Sequence, residues 1–195
     1  MRVKNSITTA DYLPWDTMLT LVRRLYRDGD YRMSLIVGCG AFLGLRISDI
    51  LTLNWKMLLE GDRFVVTEKK TGKRRIIKIN PSFARHISDC HKSLNIADNE
   101  QPCFLSRYGA VLSTQYINRR FKDIKRRYAL KIDNFSTHSL RKCFGRKVVE
   151  SAGTDAEMAL IRLSELYNHR DVATTRRYLG LRQSELLETY DLLDF

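Results

Sequence analysis

The stretch HRDVATTRRY, residues 169–178, places a histidine nine residues before a tyrosine, with two threonines between them. Each of these residues alone has an ordinary structural interpretation, because a histidine can cap a helix and an isolated tyrosine can anchor one. Three other short patterns precede this stretch: GLRISDIL at 44–51, KKTGK at 69–73 and HSLR at 138–141. The order and spacing of the four patterns indicate the fold, and no single pattern does.

Two helices and a hairpin are predicted around the first two patterns. An amphipathic helix follows Pro14, and Asp28-Gly29 ends it. Its apolar residues recur at i, i+3, i+4 and i+7: Met18, Leu21, Val22 and Leu25. A second helix, from about Tyr31 to Phe42, is apolar on nearly all sides and is therefore predicted to be buried. Between Arg63 and Ile79, two β-rich runs flank a basic turn, which predicts a β-hairpin.

Helices are also predicted after the hairpin. In residues 117–128 the apolar positions share one helix face, and arginine and lysine cover much of the rest. A helix is expected from about Ser139 to Ala152, followed by a stop at Gly153 and a capping box, Thr154-x-x-Glu157, for the next helix. The tail, about 181–195, is predicted to be a helix with an apolar face, four acids and almost no basic residues.

The composition is that of one globular chain with a strong positive charge. Its 195 residues, 44% of them hydrophobic, suffice for one sizeable core, and no linker or repeat marks a domain boundary. The 34 Lys and Arg outnumber the 22 Asp and Glu and give a net charge of +12, which attracts polyanions. Nucleic acid is therefore the first partner to test, although charge alone is equally compatible with simple solubility.

The cysteines and the N-terminus bear on the compartment. The four cysteines are widely spaced and include no C-x-x-C, so neither a disulfide framework nor a zinc knuckle is indicated. The first 16 residues lack the apolar run of a signal peptide, and no stretch approaches the roughly 20 apolar residues of a membrane helix. We expect a soluble, cytoplasmic protein with reduced thiols and no membrane partner.

In their order and spacing the four patterns resemble the tyrosine recombinases of the phage integrase family. That family has an Arg after a helix break, a Lys on a hairpin, H-x-L-R, and a His nine residues before a nucleophilic Tyr. The resemblance runs from about Tyr31 to Leu179. It implies an α+β, mostly helical catalytic domain, residues 1–195, with a small antiparallel β-sheet packed on a helical core. It also implies cleavage and rejoining of DNA strands through a covalent 3′-phosphotyrosine on Tyr178.

The resemblance assigns the phosphate clamp to Arg46 and Arg141. A guanidinium suits this role because it stays protonated and presents planar paired donors to phosphate oxygens. Without the matching patterns, Arg46 would be expected to pair with Asp49 at a helix end, and Arg141 to be a solvated surface cation. The resemblance implies that Asp49 orients the His or Arg groups and does not touch DNA.

Proton transfer and further phosphate contacts are implied for two histidines and a lysine. His138 resembles the family's general acid or base, a role that suits a reference pKa of about 6.5. His169 is expected to donate a hydrogen bond to the scissile phosphate. Lys70, directly before the Thr-Gly of the turn, is expected to protonate the leaving 5′ oxygen, with Lys69 and Lys73 as alternatives.

Double-stranded DNA is the partner that the resemblance implies. Further DNA contacts are expected from six basic residues: Lys69, Lys73, Arg74, Arg119, Arg120 and Lys142. The sequence has no Asp/Glu cluster with metal-ligand spacing and no Gly-rich phosphate loop, so we expect neither a metal nor another cofactor. The implied assembly is a synaptic homotetramer that exchanges C-terminal tails, with a monomer as the state without DNA, associated with the nucleoid.

The chain departs from the family in several places, and two other functions stay open. Asn168 stands where the family usually has Gly, and Asn tolerates a positive φ. The sequence begins at the catalytic domain's first helix, without the usual N-terminal DNA-clamping domain, either as part of a longer integrase or as a minimal recombinase. The alternatives are a type IB topoisomerase-like relaxase with the same chemistry, and a non-catalytic DNA-binding module that retains the fold.

Overall fold

The computed structural model of the chain describes residues 10–181 and Tyr190. This part is mostly helical and contains one two-stranded antiparallel sheet, so the predicted fold class, α+β and mostly helical, is confirmed. The chain divides into two compact units between Phe144 and Gly145, a point that lies within a helix. The expectation that residues 1–195 form a single domain stays a prediction.

The first unit contains most of the elements. In chain order they are α1 (Trp15–Arg27), α2 (Tyr31–Leu43), α3 (Ile47–Ile50), α4 (Trp55–Leu59), β1 (Arg63–Thr67), β2 (Arg74–Lys78), α5 (Pro81–Ser93) and α6 (Thr114–Arg127). A further helix, α7 (Thr137–Ala152), begins in the first unit and ends in the second.

Helix α2 lies at the centre of the core of the first unit. Ten of its 13 residues are buried, and it packs against α1 and α5. A helix that is apolar on all sides can be buried on every side, so the predicted central helix is confirmed. It ends at Leu43, one residue later than expected. The apolar stripe predicted for α1 is confirmed as well, because its four residues are the buried ones: Met18, Leu21, Val22 and Leu25.

The predicted hairpin is confirmed as β1 and β2. The two strands pair antiparallel with Arg63 opposite Lys78 and Thr67 opposite Arg74. Alternate side chains face the core, so the apolar residues of one face pack inward: Phe64, Val66 and Ile77. Residues 68–73 form the turn, which brings the KKTGK pattern to the end of the sheet.

The second unit contains the end of α7, a short 3-10 helix (Gly153–Asp155), α8 (Ala156–Tyr167) and α9 (Val172–Leu179). Helices α8 and α9 pack on each other. Asn168 ends α8 in the left-handed conformation with φ 53° and ψ 47°, so the prediction that Asn replaces Gly here without loss of the turn is confirmed. The nine-residue interval from His169 to Tyr178 therefore runs from this turn along α9.

The predicted capping box is wrong. Thr154 lies in the 3-10 helix, and Asp155 occupies the N-cap position of α8 without a side-chain cap hydrogen bond. The carboxylate of Glu157 instead accepts a hydrogen bond from Arg176 on α9. The predicted tail helix, about 181–195, lies outside the described residues except for Leu181 and Tyr190.

Candidate active site

The break between α2 and α3 determines where Arg46 lies. Gly44 ends α2 with φ 59°, a left-handed conformation that glycine adopts at little cost. A Cβ at this position would also lie only 2.6 Å from the Phe144 ring. Arg46 follows in an extended conformation as the N-cap residue of α3. The predicted clamp arginine therefore lies two residues after a position that requires glycine.

Arg46 forms an ion pair with Glu68 on the hairpin. Its Nη1 donates to Oε2 of Glu68 at 2.8 Å, and the Glu68 side chain is only 1% exposed. Pairing with Asp49, the structural alternative that the sequence suggested, is not the contact that forms. The predicted clamp arginine is therefore tied to the turn of the hairpin, 22 residues further along the chain.

Glu68 binds two further donors. Nη1 of Arg75 donates to its Oε1 at 2.9 Å, and the hydroxyl of Thr71 donates to its Oε2 at 2.8 Å. Burial alone would raise the pKa of Glu68, but the hydrogen bonds from Arg75 and Thr71 and the charge of Arg46 outweigh it and lower the pKa. Glu68 is therefore ionised at neutral pH and sits between two guanidinium groups.

Asp49 also binds the turn of the hairpin. Its Oδ1 accepts the backbone N–H of Lys69 at 3.0 Å and the hydroxyl of Ser48 at 3.2 Å. The residue is fully buried, and its Oδ2 has no hydrogen-bond partner within the described part of the chain. Asp49 thus orients the backbone next to Lys70, whereas the resemblance implied that it orients a His or Arg side chain.

Helix α7 brings His138 and Arg141 to the same unit. Arg141 is 3% exposed, and its Nη1 donates to the carbonyl oxygen of Gly44, which connects it to the segment that carries Arg46. His138 lies one helical turn earlier with an exposed side chain. The prediction of a solvated surface cation at position 141 would therefore be wrong, whereas the family pattern is compatible with this buried arginine.

Burial and nearby positive charges both lower the pKa of His138. Partial loss of hydration lowers this pKa most, and the positive charges of Arg141, Lys142, Arg46 and Lys70 lower it further. His138 is therefore neutral at pH 7 and can accept a proton there. The first unit brings four predicted site residues into one electrostatic cluster: Arg46, Lys70, His138 and Arg141.

The second unit brings His169 and Tyr178 together. Their ring centroids are 5.3 Å apart at an interplanar angle of 70°. The buried ring of Tyr167 contacts both, at 5.3 Å from His169 and 5.6 Å from Tyr178. Nδ1 of His169 lies 3.0 Å from the hydroxyl of the buried Thr175, which fixes the plane of the imidazole.

The N-terminus of α9 is capped within the HRDVATTRRY stretch itself. Oδ1 of Asp171 accepts the backbone N–H of Thr174 at 2.6 Å. Hydrogen bonding to Thr174 is the main cause that lowers the pKa of Asp171 to about 2, and Arg170 contributes. The cap fixes where α9 begins, and with it the position of Tyr178 two turns later.

A match to the model of the phage integrase family covers residues 20–185. The chain belongs to the phage integrase family. The resemblance drawn from the four sequence patterns is thereby confirmed.

Individual proteins are also similar to the chain, one in sequence and two in fold. The tyrosine recombinase XerC of Agrobacterium fabrum is 29% identical over 160 residues, which is 82% of this chain and 48% of that protein. The crystal structure of XerA recombinase matches 94% of this chain and 66% of its own with a TM-score of 0.70 at 23% identity. The Tn1549 transposon integrase in complex with transposon right end DNA matches 95% and 68% with a TM-score of 0.71 at 15% identity. The chain spans about half the length of the XerC relative.

Two residues of this phage integrase family member escaped the sequence interpretation. Glu68 had a signal, because it is the one acid between Arg63 and Ile79 in a strongly basic hairpin. Tyr167 also had one, because it stands two residues before His169 and continues the apolar face of α8. In both cases the residue supports predicted site residues through direct contacts.

The six predicted DNA contacts lie in different surroundings. Four of them have exposed side chains: Lys69, Lys73, Arg74 and Arg119. Arg120 instead forms an ion pair with Asp30, the N-cap residue of α2, and so has a structural role that the sequence did not predict. Nζ of Lys142 donates to the carbonyl oxygen of Ala10. Their contacts with DNA remain predictions.

Two absences apply only to residues 10–181 and 190. No group of three or more His, Cys, Asp or Glu side chains there is arranged to hold a metal ion. No helix in that part is both long and apolar enough to cross a membrane. The expectation that the reaction needs no cofactor stays a prediction.

Proposed function

We propose that this chain is the catalytic domain of a site-specific DNA recombinase that cleaves and rejoins strands through a 3′-phosphotyrosine on Tyr178. The observation that carries the proposal comes from the first unit: Arg141 donates to the carbonyl oxygen of Gly44, Glu68 holds Arg46, and both charges and that of Lys70 act on His138. Fixed cations next to a proton acceptor are what the attack of a phenol on a phosphodiester requires.

In the proposed cleavage step, Oη of Tyr178 forms a bond to phosphorus and the bond from phosphorus to the 5′ oxygen breaks. The phenol proton goes to neutral His138, because a phenol with a reference pKa near 10 is mostly protonated at pH 7. The 5′ oxygen receives a proton from Lys70. The phosphotyrosine keeps the energy of the broken bond. Rejoining is therefore the reverse reaction, with a 5′ hydroxyl as nucleophile.

Arg46 and Arg141 are proposed to neutralise the phosphate in the transition state. The phosphorane-like state carries extra negative charge on its non-bridging oxygens, and donors already fixed in place stabilise it without reorganisation. The ion pair of Arg46 and the near-complete burial of Arg141 support such preorganisation. Removing one such donor costs about 10²- to 10³-fold in rate in other enzymes.

His169 is proposed to donate a hydrogen bond to the same phosphate. The hydroxyl of Thr175 has two possible acceptors, Nδ1 of His169 at 3.0 Å and the carbonyl oxygen of Asp171 at 3.5 Å. In this proposal it donates to the nearer Nδ1, so the neutral imidazole carries its proton on Nε2. Nε2 is then the donor available to DNA. Tyr167 keeps the ring in place from one side.

The substrate and the assembly belong to the same proposal. The net charge of +12 and the exposed lysines and arginines of the hairpin turn favour double-stranded DNA. We further propose a homotetramer on DNA that exchanges the acidic tails, residues 182–195, and a monomer without DNA. A cytoplasmic protein associated with the nucleoid follows from such a substrate.

A suicide substrate tests the proposal. Duplexes that bind the chain are selected from a randomised library and resynthesised with a nick next to the cleavage point, so that the cleaved end diffuses away. We expect a covalent protein–DNA adduct on denaturing gels that Tyr178→Phe abolishes. Tyr190→Phe, in the tail, is the matched control and should retain the adduct. An adduct that survives Tyr178→Phe contradicts the proposal, and supercoil relaxation without recombinant joints would indicate the topoisomerase alternative.

A further inference from the structure

Glu68 is a buried carboxylate with an unusual position. It directly follows β1, precedes Lys69 and Lys70, and is 1% exposed. A charged carboxylate loses its hydration on burial and is retained only where donors replace the water. Glu68 has three such donors, and one of them is Arg46.

The main chain of Glu68 also organises the turn. Its carbonyl oxygen accepts the backbone N–H of Gly72 at 2.8 Å and of Thr71 at 3.3 Å, and its N–H donates to the carbonyl of Lys73 at 2.9 Å. The turn that carries Lys70 is therefore closed without the carboxylate. The carboxylate adds side-chain contacts to this main-chain closure, with Thr71 inside the turn and with Arg46 and Arg75 outside it.

Removal of the negative charge would change the position of Arg46. Both Arg46 and Arg75 point a guanidinium nitrogen at Glu68, at 2.8 and 2.9 Å. Without the carboxylate, two guanidinium groups that are each less than 20% exposed would lose the negative charge between them and repel. Arg46 is the more consequential of the two, because it belongs to the charge cluster around His138.

We propose that Glu68 is a positioning residue for the cleavage reaction and acts by holding the guanidinium of Arg46 in place for the scissile phosphate. The inference rests on the proposed function. Glu68 itself does not touch DNA in this proposal. Its contribution is to keep Arg46 in one orientation before the substrate binds, so that no ordering is needed in the transition state.

The test uses Glu68→Gln on two nicked suicide substrates, one with a normal scissile phosphate and one with a methylphosphonate. In the methylphosphonate a methyl group replaces a charged non-bridging oxygen, so the reacting centre needs less positive charge. On the phosphodiester we expect adduct formation to slow by about 10- to 100-fold, the range for a misplaced catalytic group. On the methylphosphonate we expect the wild type and the variant to agree within about threefold. Asp62→Asn, at the opposite end of the hairpin, is the matched control.

Each other outcome has a defined meaning. An equal loss on both substrates would mean that Glu68 only supports the fold, and no loss on either would mean that it has no role; both overturn the inference. A 5′-thio leaving group needs no acid. If it rescued Glu68→Gln and the methylphosphonate did not, Glu68 would support the proton donor Lys70 and not Arg46, which also overturns the inference. If Glu68→Gln does not unfold cooperatively by circular dichroism, Glu68→Asp replaces it under the same criteria. A wild type that forms no adduct refutes the proposed function itself, whereas an active wild type with an unaffected variant refutes only this inference.

Discussion

The two units hold their site residues by different means. In the first unit the contacts join residues far apart in sequence: 22 positions from Arg46 to Glu68, 20 from Asp49 to Lys69 and 97 from Gly44 to Arg141. In the second unit the contacts around His169 and Tyr178 span fewer positions: three for the α9 cap, six for His169 and Thr175, and 11 for Tyr167 and Tyr178. The first region is a product of tertiary packing, and the second is largely a product of local sequence.

This difference has an energetic side. The first unit buries ionised groups, which are tolerated only as long as every partner is present. The second unit relies on a helix cap, ring contacts and a hydroxyl, each of which contributes about 1 kcal/mol in other proteins. We therefore expect substitutions to have larger effects in the first unit than in the second.

The largest effect is expected at Arg141, which a lysine tests most sharply. Arg141→Lys keeps the charge but loses the planar fork and the hydrogen bond to Gly44, so we expect adduct formation to fall by about 10²- to 10³-fold. Single-turnover cleavage of the suicide substrate measures it. Arg63→Lys, on the exposed edge of β1, should stay close to the wild-type rate. A loss below about threefold at Arg141 would show that charge alone is required at this position.

Contacts between residues close in sequence could be predicted from the sequence, and contacts between distant residues could not. Helix α1, the hairpin and the left-handed Asn168 were predictable because helix periodicity, strand alternation and turn preferences act over a few residues. The partner of Arg46 was not, because sequence proximity favoured Asp49, three residues away, over Glu68. The choice between them depends on where the hairpin packs, which no local pattern contains.

Two further ion pairs have the same origin. Arg120 pairs with Asp30, the N-cap residue of α2 and 90 positions earlier, and its contact with DNA stays a prediction. The capping box failed because Glu157 pairs with Arg176 on the neighbouring helix. Charged side chains have long reach, and their partners are decided by the tertiary structure.

A moderate effect is expected in the second unit at Thr175. Thr175→Val preserves the shape of this buried side chain and removes only the hydroxyl that lies 3.0 Å from His169. Loss of one hydrogen bond of about 1 kcal/mol corresponds to roughly a fivefold slower adduct formation. Thr154→Val, at an exposed position in the 3-10 helix of the same unit, is the matched control. If Thr175→Val equalled Arg141→Lys in its effect, the contrast between the two units would fail.

The smallest effect concerns the pH dependence of cleavage. Because loss of hydration and four neighbouring cations lower the pKa of His138, this residue stays neutral at pH 7. A proton acceptor with a lowered pKa works above that pKa and fails as the pH falls through it, so the acidic limb of the rate profile should lie below the usual value of 6.5. Lys142→Gln removes one of these cations, so the limb should move slightly toward higher pH. Lys131→Gln, a change outside this set of cations, should leave the acidic limb in place. Rates are measured under single-turnover conditions from pH 5 to 8, about 1.5 units on either side of the reference pKa of 6.5. A shift toward lower pH in Lys142→Gln would mean that the limb reports another group, and His138 would lose its role as the acceptor of the tyrosine proton.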